Sequence, residues 1–346
     1  MMLVSIGDQV REGSYPFHSR FRRAVNFRCG SRLVSLVDEQ VGDGPQNIVI
    51  RDFDAERISS EPAPLLITAN TVGFGPHRLP IAGNDTYCST VLVNDWDPDL
   101  FDLNLSVLEG ELRAASPPKS LVFLLDESRL MNFRPGFERA FTDQIRRGLL
   151  RIVDGHILDG VRTLKGCGLG LTPSGDDFIA GLLIGLNLLR QLHGRVLNWR
   201  ATLPVAAVYD RRPVFCRGRT SRTDVPERVR RCRPCQPRFR HRGALTRRFA
   251  SGRVGPDLGV GVNCSSLPDE IFRAAKTGNV FSNAFLDLAR RGLLFGRMKN
   301  LVCALLHEDE VAVRKSAANL LAIGGSSGAD LGTGFLLTVR GELGIS

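Results

Sequence analysis

The stretch GCGLGLTPSGDDFIAG, Gly166 to Gly181, sets three alternating glycines, a Thr-Pro-Ser-Gly turn and two adjacent carboxylates ahead of an apolar run. Glycine at this density marks backbone that bends sharply or approaches something closely. From Phe178 to Leu189 the apolar residues recur with helical spacing, so the stretch reads as a loop feeding a helix. A second copy of the pattern lies near the other end of the chain. SGDDFIAGLL (174–183) aligns without a gap on SGADLGTGFL (327–336), at an offset of 153 residues. Both read Ser-Gly-x-Asp followed by an apolar residue, two variable positions, Gly, an apolar residue and Leu. This is an internal repeat of a loop-to-helix unit.

Helical geometry sorts the carboxylates. Consecutive residues point about 100° apart, so Asp176 and Asp177 serve different places. Asp177 is matched by Asp330 in the second copy, whereas Asp176 faces Ala329. Asp177 and Asp330 are therefore the candidates for ligand work. Four residues beyond each lies a glycine, Gly181 or Gly334, and the same face continues with Gly185 and Thr338. So small a face predicts two helices crossing closely. Both aspartates are then expected to border one cleft, rimmed by the Gly166–Gly170 and Gly324–Gly325 turns.

Working outward, helical spacing starts after Pro135 with the stripe Phe137, Phe141, Ile145 and Leu149. It continues in 157–164, 281–288, 298–306 and 311–321. Toward the N-terminus the period is two. AVNFRCGSRLVSLVDEQVGDGPQNIVIRD (24–52) alternates around Gly42-Asp-Gly-Pro45 and predicts short strands joined by a turn. APLLITANTVGFGP (63–76) and STVLVNDW (89–96) extend the β-rich region, and SLVFLLDE (120–127) predicts one more buried strand. The fold class is α+β: a β-rich N-terminal domain over 1–134, then a helical domain over 135–346 interrupted by an Arg-rich segment at 195–262.

That segment dominates the charge. The chain of 346 residues carries a net +10, yet Arg195 to Arg253 alone holds 17 arginines against 3 acids, a local +14 that leaves −4 for the rest. With no periodic apolar face, Arg211–Arg248 is expected to be exposed and poorly packed. A solvated insert or an out-of-frame stretch accounts for it better than an arginine-rich nucleic-acid arm. Cys232 and Cys235 within it lack the second tight pair that a zinc site needs. Eight scattered cysteines suit a reducing compartment. The first residues lack a basic start and a long apolar core, and no apolar run is long enough to span a bilayer, so the expected location is the cytoplasm.

What the two loops bind is narrowed by what they lack. The dinucleotide fingerprint needs a strand before its glycines, but 157–166 reads as helix, and the Lys-Ser/Thr of a phosphate loop is missing. Neither motif carries a His or Glu partner for a metal, so no metal and no cofactor is expected. Two readings stay open. Both aspartates are helix caps only, or the loops form a site in which backbone N–H groups at a helix start meet an anion and carboxylates meet an amide or carbamoyl NH₂.

GLGLTPSGDDFIAG resembles the signature of the AllH-type family, whose best-understood members are one of three different subunits of oxamate carbamoyltransferase in allantoin breakdown. The resemblance extends to FHSRFRRAVNF (17–27), VFSNAFLDLARRG (280–292) and IGGSSGADLGTGF (323–335), and it leaves out the Arg-rich segment. It implies carbamoyl transfer between phosphate and oxamate, a small anionic substrate, and partner subunits. On that implication Thr172, Ser174 and Gly175 bind phosphate or an oxyanion, with Ser326 and Ser327 as their counterparts in the second copy. Asp177 and Asp330 hold the carbamoyl or oxamate NH₂. His18 is the candidate acid or base and Arg20 its anion partner, against the plainer reading of His18 as a surface histidine before a strand. The competing function is a subunit that only binds a metabolite or a partner protein.

Overall fold

Strands fill the first ninety residues because the chain there alternates and turns every few residues. The computed structural model describes residues 1–58, 63–83, 85–193 and 267–344, and the Arg-rich segment with its cysteines lies outside them. Strands β1 (Met2–Gly7), β2 (Gly13–Tyr15), β3 (Phe17–Phe21), β4 (Ala24–Cys29), β5 (Arg32–Val37) and β6 (Asn47–Arg51) are followed by β7 (Leu65–Ile67), β8 (Thr71–Phe74), β9 (His77–Pro80) and β10 (Thr86–Tyr87). They form a six-stranded sheet of order β10-β1-β6-β5-β4-β3 and a four-stranded sheet of order β2-β7-β8-β9. The β3–β4–β5 meander is antiparallel, while β5 pairs β6 in parallel. The two sheets share a core of their own, built on Tyr15, Val25, Phe27, Leu36, Ile48 and Val72.

Helices follow: α1 (Pro98–Ala115), α2 (Phe137–Val153), α3 (Ile157–Leu164), α4 (Ser174–His193), α5 (Leu267–Ala275), α6 (Val280–Arg290), α7 (Gly296–His307), α8 (Glu310–Leu321) and α9 (Ser327–Val339). The fold is α+β. Helical structure thus begins at Pro98, inside the segment 1–134 read as β-rich. The start of α1 is capped by Asp97, whose carboxylate accepts the Asp99 and Leu100 N–H groups, with proline at the first helical position. Its buried residues Phe101, Leu105, Leu108 and Leu112 recur every three or four positions.

Two expected strands are absent. Leu121–Leu124 is a 3₁₀ turn, not a strand, with Leu121, Val122 and Phe123 wholly buried among the helices. A short continuous apolar run has no period to distinguish the two. Residues 89–96 belong to neither sheet, although Val91 and Val93 alternate into the helical core. That alternation reflects burial without a ladder.

Two helices sit at the centre. Almost every residue of α4 and every residue of α9 from Gly328 to Val339 is buried, the signature of a helix surrounded on all sides. They touch through glycine. A Cβ on Gly181 would lie 2.1 Å from the Leu331 carbonyl oxygen, one on Gly334 2.2 Å from that of Phe178, and one on Gly185 2.8 Å from Thr338 Cβ. The contacts advance in the same sense along both helices, so α4 and α9 run parallel and start at the same end. Each is pressed against the helix before it in like manner. A Cβ on Gly175 would meet the Leu164 carbonyl at 1.9 Å, and one on Gly328 the Leu320 carbonyl at 2.0 Å.

Candidate functional site

The shared start of α4 and α9 brings the two motifs, offset by 153 residues in the chain, into hydrogen-bonding range of each other. Thr172 donates its hydroxyl to Asp177 Oδ2 at 3.1 Å, and the same hydroxyl oxygen lies 3.4 Å from Ser327 Oγ. Ser327 of the second motif in turn hydrogen-bonds the Asp177 side chain of the first. The exchange is reciprocal, because Ser174 of the first motif hydrogen-bonds Asp330 of the second. Asp330 also accepts the Ser326 hydroxyl at 2.7 Å and the backbone N–H of Leu121 at 2.6 Å. Asp176 points elsewhere, as the helical angle requires, and accepts the Gly166 N–H at 2.7 Å.

Burial dominates the electrostatics. It pushes the carboxyl of Asp177 well above the usual carboxylate range, and the neighbouring Asp330 adds to the rise. The hydroxyls of Ser327 and Thr172 oppose it. Burial likewise raises Asp330 to about 6, against the Leu121 N–H and the hydroxyls of Ser326 and Ser174.

Asp177 opens onto a cleft of about 770 Å³. Thr172, Ser326 and Ser327 share that wall, and the turns at Gly170 and Gly324–Gly325 form part of the rim. The sheet supplies the opposite side through Arg23, Gln40, Val41, Asp43 and Asn47, and Arg297 joins from α7. Arg23 makes a loose ion pair with Asp38 at 3.6 Å, while Arg297 donates to the backbone carbonyls of Gln40 and Asn319.

The expected residues therefore divide. Asp177, Thr172, Ser326 and Ser327 line the cleft. Asp330 does not, since it is fully buried one layer beneath, holding Leu121 and the loop before α9. Ser174 is buried and directed to Asp330, and Gly175 is spent on the close contact with Leu164. Nor do His18 and Arg20 reach the cleft. His18 lies within β3 rather than before a strand, its ring packed edge-on against Phe281 at 5.6 Å and its Nδ1 3.0 Å from Ser19 Oγ. Arg20 donates to the Ile58 carbonyl at 2.6 Å. Both residues belong to β3, whereas in FHSRFRRAVNF it is Arg23, at the β3–β4 turn, that reaches the cleft. Asp43 lies within Gly42-Asp-Gly-Pro45 and Gln40 and Asn47 flank it, where the sequence shows a turn and no chemistry. Among the described residues no group of three or more His, Cys, Asp or Glu is placed to hold a metal, and no helix is long and apolar enough to cross a membrane.

Comparison with known proteins finds a family model that matches part of the helical half. The model of the oxamate carbamoyltransferase subunit AllH matches residues 164–206 and 262–339. No curated protein and no solved structure matches the chain. The matched segments contain all of α4 and α5 to α9, and with them both loop-to-helix motifs and the Asp177 wall of the cleft. Over these two segments, which make up less than half of the chain, the sequence is similar to the AllH family of oxamate carbamoyltransferase subunits.

Proposed function

We propose that this chain is a subunit of an oxamate carbamoyltransferase-like enzyme and that the cleft at the start of α4 and α9 receives the carbamoyl or amide group. The observation that supports this is the Asp177 carboxyl, buried yet facing the cleft and held by Thr172 and Ser327. Burial and the adjacent Asp330 favour its acid form. A neutral carboxyl donates through O–H and accepts through C=O, matching the C=O and N–H of a primary amide. Transfer of a carbamoyl group between phosphate and an amide or carboxylate acceptor passes through a tetrahedral centre whose oxyanion needs fixed donors. The hydroxyls of Thr172, Ser326 and Ser327 stand on that wall, where two helix N-termini turn their positive ends to the same place. Arg23 supplies a cation for the anionic part of the substrate. The loop-to-helix units descend from one repeated element, partner subunits complete the enzyme, and the complex works in the cytoplasm in allantoin and purine breakdown.

The distance of His18 from the cleft favours a second reading, in which the chain binds a metabolite or a partner and another subunit performs the chemistry. One assay separates them. Carbamoyl phosphate consumption is followed with oxamate present, using the chain alone and mixed with candidate partner subunits. Turnover that requires the mixture and falls with Asp177→Asn supports the enzyme subunit. Metabolite binding with turnover indifferent to Asp177 supports the binding subunit.

A further inference from the structure

The cleft is too large and too apolar for a two-carbon acid alone. Its volume of about 770 Å³ lies in the range that buries most of a drug-sized ligand. Its apolar lining is Phe285, Phe295, Val41, Ile323 and Leu331. A side chamber of about 170 Å³ adjoins it between β5, the turn before β6 and α6, and shares Asn47, Phe285 and Phe295 with the main cleft. None of Thr172, Asp177, Ser326 or Ser327 borders the chamber, so the polar wall and the chamber stand at different ends. Ala284 of α6, half-buried, forms part of the chamber wall where a larger side chain would occupy the space.

We infer that the ligand carries an apolar side chain of up to aromatic size, lodged between Phe285 and Phe295 toward the side chamber, while its amide or carbamoyl end meets Asp177, Thr172 and Ser327. This rests on the reading of the polar wall given above and adds the class of acceptor: a carboxylate or amide with a branched or aromatic side chain. The chemistry of the cavity points the same way at each end. Hydroxyls and a carboxyl lie where the amide goes, a cation from Arg23 where a carboxylate goes, and aromatic rings where only apolar surface gains by burial.

N-carbamoyl amino acids test it, since they hold the carbamoyl and carboxylate groups constant while the side chain grows. Titration calorimetry on the full-length chain with N-carbamoylglycine, -alanine, -leucine and -phenylalanine should show affinity rising along the series, by about tenfold or more from the first to the last. Ala284→Phe should remove most of that rise and leave N-carbamoylglycine bound as before. Thr172→Val should weaken every member by a similar factor. Flat or falling affinity along the series, with binding still sensitive to Thr172→Val, overturns the apolar acceptor and leaves the polar-wall reading standing. A rise that persists in Ala284→Phe overturns the side-chamber assignment. Failure of the chain to bind any member overturns both.

Discussion

Asp177 and Asp330 occupy equivalent positions in sequence and opposite roles in space. Asp177 faces the cleft, so Asp177→Asn should leave stability nearly unchanged, because the amide oxygen of asparagine can accept the Thr172 and Ser327 hydroxyls in place of the carboxyl. Ligand affinity or turnover should fall by about tenfold or more, the loss of a hydrogen bond to a strongly held group. Calorimetry beside thermal melts checks both, and equal loss in the two would remove Asp177 from the site. Asp330 instead titrates as part of the core. Its folded value, about 6, exceeds the ordinary 3.8, so the folded chain binds more protons between those limits. The stability that this group contributes is full below about pH 4 and is lost as pH rises through 6. Asp330→Asn should flatten that decline, by at most about 3 kcal/mol between the two ends. Denaturant melts of both proteins across pH 4 to 7 read the difference directly, and parallel curves would contradict it. The sequence could pair these two aspartates but could not separate them, because the N–H that claims Asp330 comes from Leu121, outside either motif.

At the scale of elements, the crossing of α4 and α9 was the most legible feature. Glycine four residues after each aspartate has one obvious use on a buried helix, and a Cβ at Gly181 would indeed fall within 2.1 Å of a backbone carbonyl. Backbone cannot rotate aside as a side chain can. Gly181→Ala should therefore cost about 3 kcal/mol, the upper part of the range for overpacking, and Gly181→Leu more. Gly110, exposed in the interior of α1 with nothing within 4 Å of its added Cβ, is the control. There Gly110→Ala should stabilise by about 1 kcal/mol. Urea melts of the variants give both signs. Less legible was α1 itself, although Asp97-Pro98 is a sound helix start, because its stripe of Phe101, Leu105, Leu108 and Leu112 sits beside proline-rich turns. Leu121–Leu124 shows the opposite failure, an apolar run whose burial was plain and whose backbone was not.

Over the whole molecule, the sheets and the helices have separate apolar cores, and polar groups tie them together. Ser89, fully buried, donates its hydroxyl and its N–H to Asp8 of the loop after β1, while its carbonyl accepts the Leu294 N–H. The Tyr87 hydroxyl of β10 donates to the Leu294 carbonyl at 2.9 Å. Burial, with Asp43 and Asp8 nearby, pushes that phenol upward, so it stays a donor at any working pH. Gly296 at the start of α7 donates to the Asp43 carbonyl, which sets the sheet wall of the cleft against the helical wall. Removing one tie tests how much of the cleft depends on the seam. Tyr87→Phe should cost about 1 kcal/mol in denaturant melts and weaken ligand binding more than that loss of stability alone explains. Unchanged binding would show the cleft to be independent of the seam. No pattern in the sequence announces these ties, since each joins residues far apart in the chain, 81 positions for Ser89 and Asp8 and 207 for Tyr87 and Leu294, through one or a few hydrogen bonds.

The exchange of serines between the motifs has a consequence for how this chain can vary. Because Ser327 serves Asp177 and Ser174 serves Asp330, neither loop is a free unit of inheritance. A change in one is felt by the other, and a second change can be nearly silent once the first has removed its partner. Ser174→Ala and Asp330→Asn should each destabilise, while the pair together costs clearly less than their sum, a coupling of about 1 kcal/mol. Two segments 153 residues apart would then drift as one, each constraining which substitutions the other can survive.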